Sequence, residues 1–163
     1  MKHQKSSIVV VVAATNAWFR QTIGQLLTAR SLAFCIKEVG TREDTLLSMG
    51  QHPDVVVIDP FVVDELNLSL VQRLKQLFPQ IPVIVLLPKN SKSYRETVAQ
   101  HGANTVVVKD QLDTDLYPAI KNVLNTRRGV VTKNEQVQQK NLSKKRNSNA
   151  TINYFAPWVF IWC

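Results

Sequence analysis

The chain has 163 residues, 45% of them hydrophobic, and a formal net charge of +8, which suits one domain with a full core and a tail. Two cysteines exclude a disulfide framework, and no apolar run approaches the ~20 residues of a membrane-spanning helix. The positive charge first suggests an acidic partner such as nucleic acid, but residues 1–126 hold 13 Lys/Arg against 11 Asp/Glu and residues 127–150 hold seven against one, so the basicity belongs to a stretch that reads as a solvated, disordered tail.

The N-terminus is basic through Ser7 and then apolar from Ile8 to Ala14. A signal peptide would continue with small residues at a cleavage site; Asn16, Arg20 and Gln21 follow instead, so the run Ile8–Ala13 reads as a buried strand. Trp18–Ala29 places Phe19, Ile23, Leu26 and Leu27 at helical spacing. A weaker strand is expected over Ala33–Val39, with Cys35 a small buried hydrophobe. Thr41, with Asp44 three residues on, opens a helix. Val55–Ile58 is a second continuous apolar run, followed by a helix over Leu66–Phe78 with Leu66, Leu70, Leu74, Leu77 and Phe78 on one face. Val83–Leu87, a polar helix over Ser91–Gln100 with Tyr94 and Val98 as its apolar pair, Thr105–Val108 and a helix over Gln111–Leu124 complete the series. Continuous rather than alternating apolar strands are covered on both faces, so the repeated βα order predicts a doubly wound parallel sheet with helices on each side.

Ligands on such sheets sit beyond the carboxyl ends of the strands. The residues ending the runs are Ala13-Ala14-Thr15, Asp59-Pro60, Leu87-Pro88 and Lys109-Asp110. Asp59 and Lys109 converge on one rim as either a structural ion pair or the remains of a phosphate-handling site. A nucleotide or flavin site would want a Gly-rich or hydroxyl-rich loop after the first strand, and Ala13-Ala14-Thr15-Asn16-Ala17 has one hydroxyl and no glycine. The histidines, His3, His52 and His101, are scattered singly, and no metal cluster is expected.

Three stretches carry a resemblance to a known family: Val9–Arg20 with its Trp18-Phe19-Arg20; Pro53-Asp54-Val55-Val56-Val57-Ile58-Asp59; and Gly102-Ala103-Asn104 leading through Thr105–Val108 to Lys109-Asp110. Over Ile8–Leu124, about three-quarters of the chain, the sequence resembles a CheY-like response-regulator receiver domain, nearest in flavour to the NarL/LuxR-type subgroup. The resemblance implies a flavodoxin-like (βα)5 sheet of strand order 2-1-3-4-5. It also makes Asp59 equivalent to the phosphoaccepting aspartate and Lys109 equivalent to the lysine that contacts the phosphoryl group. Against that pattern, Ala14 and Thr15 stand where the family has an acidic pair that holds Mg²⁺. Leu87 stands at the Thr/Ser position, Val106 at the switch aromatic, and Val62-Val63 and Asn67 in place of Met-Pro and Gly. Mg²⁺ binds hard oxygen donors, and phosphoryl transfer depends on cationic neutralisation of developing charge.

The expectation is therefore a degenerate receiver, not an enzyme, with no metal or other cofactor, that works in signal transduction as a phosphorylation-independent interaction module. Leu87 is expected to fill the space between Asp59 and Lys109. In the alternative, Asp59 is phosphorylated by a histidine kinase with Mg²⁺, through unusual ligands such as Asp64 or Glu65, with transcription regulation lost or supplied in trans. The expected partner is a protein, a histidine kinase or another regulator, with a homodimer also open. The expected location is cytoplasmic. The domain is expected to occupy residues 1–126. In 127–163 no helix-turn-helix pattern is visible, Lys144-Lys145-Arg146 is weak evidence for nucleic-acid contact, and the aromatic end from Tyr154 to Cys163 reads as an extension before it reads as a membrane anchor.

Overall fold

The computed structural model describes residues 7–31, 33–62 and 65–127. The elements run β1 (Ile8–Ala13), α1 (Ala17–Arg30), β2 (Phe34–Val39), α2 (Arg42–Ser48), β3 (Val55–Ile58), a short ribbon of β4 (Phe61–Val62) and β5 (Glu65–Leu66), α3 (Ser69–Leu77), β6 (Val83–Leu87), α4 (Lys92–Gln100) and β7 (Thr105–Val108). A last helix, α5, spans 112–127. The five long strands form one parallel sheet ordered β2-β1-β3-β6-β7, the 2-1-3-4-5 order of a doubly wound fold. The antiparallel β4–β5 ribbon takes Leu66, expected to open the following helix, into a strand, and that helix starts at Ser69 instead.

Side chains of a strand alternate between faces, and here both faces are apolar. Val10, Val12, Val55, Val57, Ile84 and Leu86 pack with Ile23 and Leu27 of α1 and Leu116, Ile120 and Leu124 of α5. Val11, Val56, Ile58, Val83, Val85 and Leu87 pack on the opposite face with Met49, Val71, Leu74 and Val98. Continuous apolar strands are thus the sum of two alternating patterns.

The caps follow from local chemistry. Asn16 accepts from the Phe19 amide and Thr41 from the Asp44 amide, satisfying helix-end donors. In α3 the buried stripe is Val71 and Leu74, with Leu70 and Phe78 half-buried, while Leu77 is 48% exposed. The expected leucine face is therefore rotated by about one residue, because the helix begins at Ser69 and Val71, Leu74 and Phe78 follow its 3.6-residue period. A second correction concerns Cys35, which is exposed. It lies on β2, an edge strand with one neighbour, where Phe34 and Val39 alone are buried.

At the amino-terminal end of the sheet, the Lys75 ammonium donates to the Pro79 carbonyl (2.9 Å), the Ile81 carbonyl (3.1 Å) and Asn104 Oδ1 (3.2 Å). Burial pulls its pKa below the ordinary 10.5. The same Asn104 oxygen accepts from the Val83 amide, and the Asn104 amide donates to the Val83 carbonyl. Gly102, at φ +88°, lets the chain pass here; a Cβ would stand 3.2 Å from Lys75 Cγ. Asp54 accepts from the Val9 amide at 2.9 Å and lies 4.0 Å from Arg127, whose Nη1 also donates to the Asp54 carbonyl.

His52 has φ 51° and ψ 59°, left-handed geometry that strains a residue with a Cβ. His52→Gly is expected to raise stability by about 0.5–1 kcal/mol, after allowing for the greater freedom of glycine in the unfolded chain. A urea midpoint equal to or below that of the wild type would show that the turn is not strained.

Candidate functional site

The carboxyl ends of β1, β3 and β7 meet at one rim. The β1–β3 ladder continues one residue past β3, since the Asp59 amide donates to the Ala13 carbonyl at 2.8 Å. This brings the Asp59 side chain to the rim beside Ala14, with 9% of it exposed. Lys109 opens a 3₁₀ turn directly after β7. Its ammonium donates to Asp59 Oδ2 at 2.8 Å and lies 5.1 Å from the centroid of the Phe19 ring. That distance is within the range of a cation–π attraction. The two ionisable residues singled out in the sequence are therefore in direct contact.

Leu87 does not stand between them. It is fully buried in the core on the α2–α3–α4 face, and a 2.8 Å bond leaves no space for an intervening side chain. The cause is chemical: an ammonium and a carboxylate attract more strongly than either tolerates an apolar spacer. Val106 is half-buried against the same core face. Asp64 and the side chain of Glu65 lie outside the described residues, as do His3 and the aromatic C-terminal segment.

Arg20 has a role at the rim that its place in the sequence does not indicate. Its Nη1 donates to the carbonyls of both Ala14 and Thr15, and its Nε is buried 4.0 Å from Glu38, beyond hydrogen-bond reach. Gly40 packs closely here: a Cβ would stand 3.1 Å from Arg20 Nη1, so the guanidinium would have to shift to admit one. The signal was a strand end whose side chains, Ala13 and Ala14, have nothing polar to hold the turning backbone. A long donor one helical turn away supplies it.

The rim does not fit Mg²⁺. At positions 14 and 15 the side chains are a methyl and a hydroxyl, the two backbone carbonyls there already accept from a guanidinium, and the Asp59 carboxylate bonds an ammonium. A hard cation would find no carboxylate at positions 14 and 15 and would compete with Lys109 for Asp59. Among the described residues no three His, Cys, Asp or Glu groups cluster as metal ligands, and no helix is long and apolar enough to cross a membrane.

Beside this pair a crevice of about 110 Å³ opens between the ends of β1 and β3. Two neighbours of β1 lie on opposite sides of it here, which is the reversal of strand order where doubly wound sheets take ligands.

No family model matches the chain. Over 108 residues, 63% of its length, it is 25% identical to the regulatory protein LuxO of Vibrio cholerae, and the match spans 24% of that protein. Among solved structures it superposes on a CheY-like response regulator receiver domain protein from Methanospirillum hungatei JF-1 with a TM-score of 0.66 at 16% identity, covering 76% of this chain and 98% of the other. A LuxR-family two-component response regulator from Aurantimonas sp. SI85-9A1 gives 0.67 at 17% identity, covering 75% and 88%. The chain has the fold of response-regulator receiver domains, as its sequence resemblance implied, and spans about a quarter of the curated relative it matches.

Proposed function

We propose that this chain is a receiver-type signalling domain that acts as a phosphorylation-independent protein-interaction module. The observation that carries the reading is the state of the rim: Asp59 bonds Lys109 at 2.8 Å while Ala14, Thr15 and Leu87 replace the groups that would hold a metal and grip a phosphoryl oxygen. Without a divalent cation, charge developing on a phosphoryl group transferred to Asp59 meets the Lys109 ammonium in place of a metal ion. Without an aromatic at Val106, the fold lacks the bulky side chain that would relay the event to the distal surface. The domain then presents its surface in one resting form, suited to a protein partner such as a histidine kinase or another regulator in the cytoplasm. It carries out no catalysis of its own.

Incubation of the full chain with acetyl phosphate and Mg²⁺ is expected to leave its intact mass unchanged, and Asp59→Ala is expected to bind its partner as the wild type does. A stable gain of one phosphoryl group that disappears in Asp59→Ala, together with loss of partner binding in that variant, would make the chain a working phosphoaccepting regulator instead.

A further inference from the structure

The crevice between β1 and β3 has a chemistry that the interaction-module reading does not use. Its volume, about 110 Å³, corresponds to about three or four waters at ~30 Å³ each, a body of about five heavy atoms. Part of its wall is apolar: Ala13 and Ala14 are 5% exposed and Ile58 2%, with Leu70 half-buried beside them. Among the described residues, two ionisable ones line it, Arg42 and Asp59. The Asp59 charge is offset by Lys109 at 2.8 Å, and Arg42 brings a second cation to the crevice.

Arg42 is the first residue of α2, and its Nη1 donates to the hydroxyl of Ser69, the first residue of α3, at 2.8 Å. Both residues line the crevice, so this bond holds the guanidinium at its edge while leaving further N–H donors. Thr15, also lining it, has a hydroxyl that makes no hydrogen bond among the described residues. The neighbouring hydroxyl of Thr45 is committed to the Thr41 carbonyl. A methyl at 14 and a hydroxyl at 15 thus give the wall space and one donor, and Arg42 adds a planar fork suited to a carboxylate.

We propose that this crevice binds a small aliphatic monocarboxylate, its carboxylate on Arg42 and Thr15 and its carbon chain against Ala14, Ile58 and Leu70. The inference stands apart from the phosphorylation question, because ligand binding is read without a phosphodonor or a partner.

Titration of the ¹⁵N-labelled full chain with propionate tests it. Saturable shifts are expected at the amides of Ala14, Thr15, Arg42 and Leu70. Arg42→Gln, an exposed position whose free spectrum reports its own folding, should weaken binding by about tenfold, as the loss of a charge-assisted hydrogen-bonded pair does. Ala14→Asp, which fills the space and reverses the charge, should abolish it. Propionamide should fail to saturate, and so should inorganic phosphate. Shifts that never saturate, equal affinity in Arg42→Gln, or phosphate or propionamide binding as tightly as propionate at these residues would each overturn the proposal.

Discussion

Leu87→Thr is expected to cost about 3 kcal/mol of stability, although it restores the residue type that receiver domains place at this strand end. Leu87 is fully buried; it packs in the core with Val11, Val85, Leu68 and Val71. Shortening a buried leucine loses both transfer free energy and contacts around the cavity left behind, about 2–5 kcal/mol for truncation to alanine. Thr retains one methyl more than alanine but adds a hydroxyl that needs a partner in an apolar setting. Urea unfolding of the two proteins, compared at equal m-value, measures the difference. A loss under about 1 kcal/mol would mean that the hydroxyl finds an acceptor at the rim and that this strand end still has room for a polar group.

Lys109→Met is expected to destabilise the domain by about 2–3 kcal/mol, more than Asp59→Asn does. Asp59 is the more buried partner, 9% exposed against 26% for Lys109. Removing the ammonium takes the charge partner from the more buried of the two groups, and the loss of that contact dominates the cost. Removing the carboxylate leaves an ammonium that still has the Phe19 face and partial access to solvent. The double variant should therefore be more stable than Lys109→Met alone, with a coupling of about 1–2 kcal/mol in the cycle. If the two single losses simply add, the pair makes no energetic contribution and its contact is incidental.

The strands were legible because covering both faces of a parallel sheet demands apolar residues at every position: Ile8–Ala13, Val55–Ile58, Val83–Leu87 and Thr105–Val108 begin and end where the sequence runs do. Edge position was not legible. Nothing in the run from Leu32 to Ile36 says that one side of the strand will lack a neighbour, so Cys35 looked buried. The α3 face shifted for a related reason: with five apolar residues in Leu66–Leu74 alone, more than one stripe fits a 3.6-residue period, and the helix start decides between them. At the rim, the Asp59–Lys109 contact followed from topology, since both residues end strands of one sheet. Arg20, Arg42 and Ser69 were not visible, because they reach the rim from helix starts, and their meeting depends on loop geometry that no periodicity encodes.

The Lys75 cluster makes the opposite end of the sheet a single kinetic unit. The α3–β6 turn and the α4–β7 turn share one ammonium, and Val83 and Asn104 bond each other in both directions. Neither turn can open without breaking bonds that belong to the other. In native-state hydrogen exchange, the amides of Val83 and Asn104 should therefore report one common opening free energy, although they are 21 residues apart. Lys75→Met should separate the two values, with Asn104, at the exposed turn, exchanging faster. The folded pKa of Lys75 lies below 10.5, so the unfolded chain binds more protons between the two values. The cluster's contribution to stability then increases as pH rises through that window, and the shared opening should become rarer at alkaline pH until the wild-type lysine is neutral in both states.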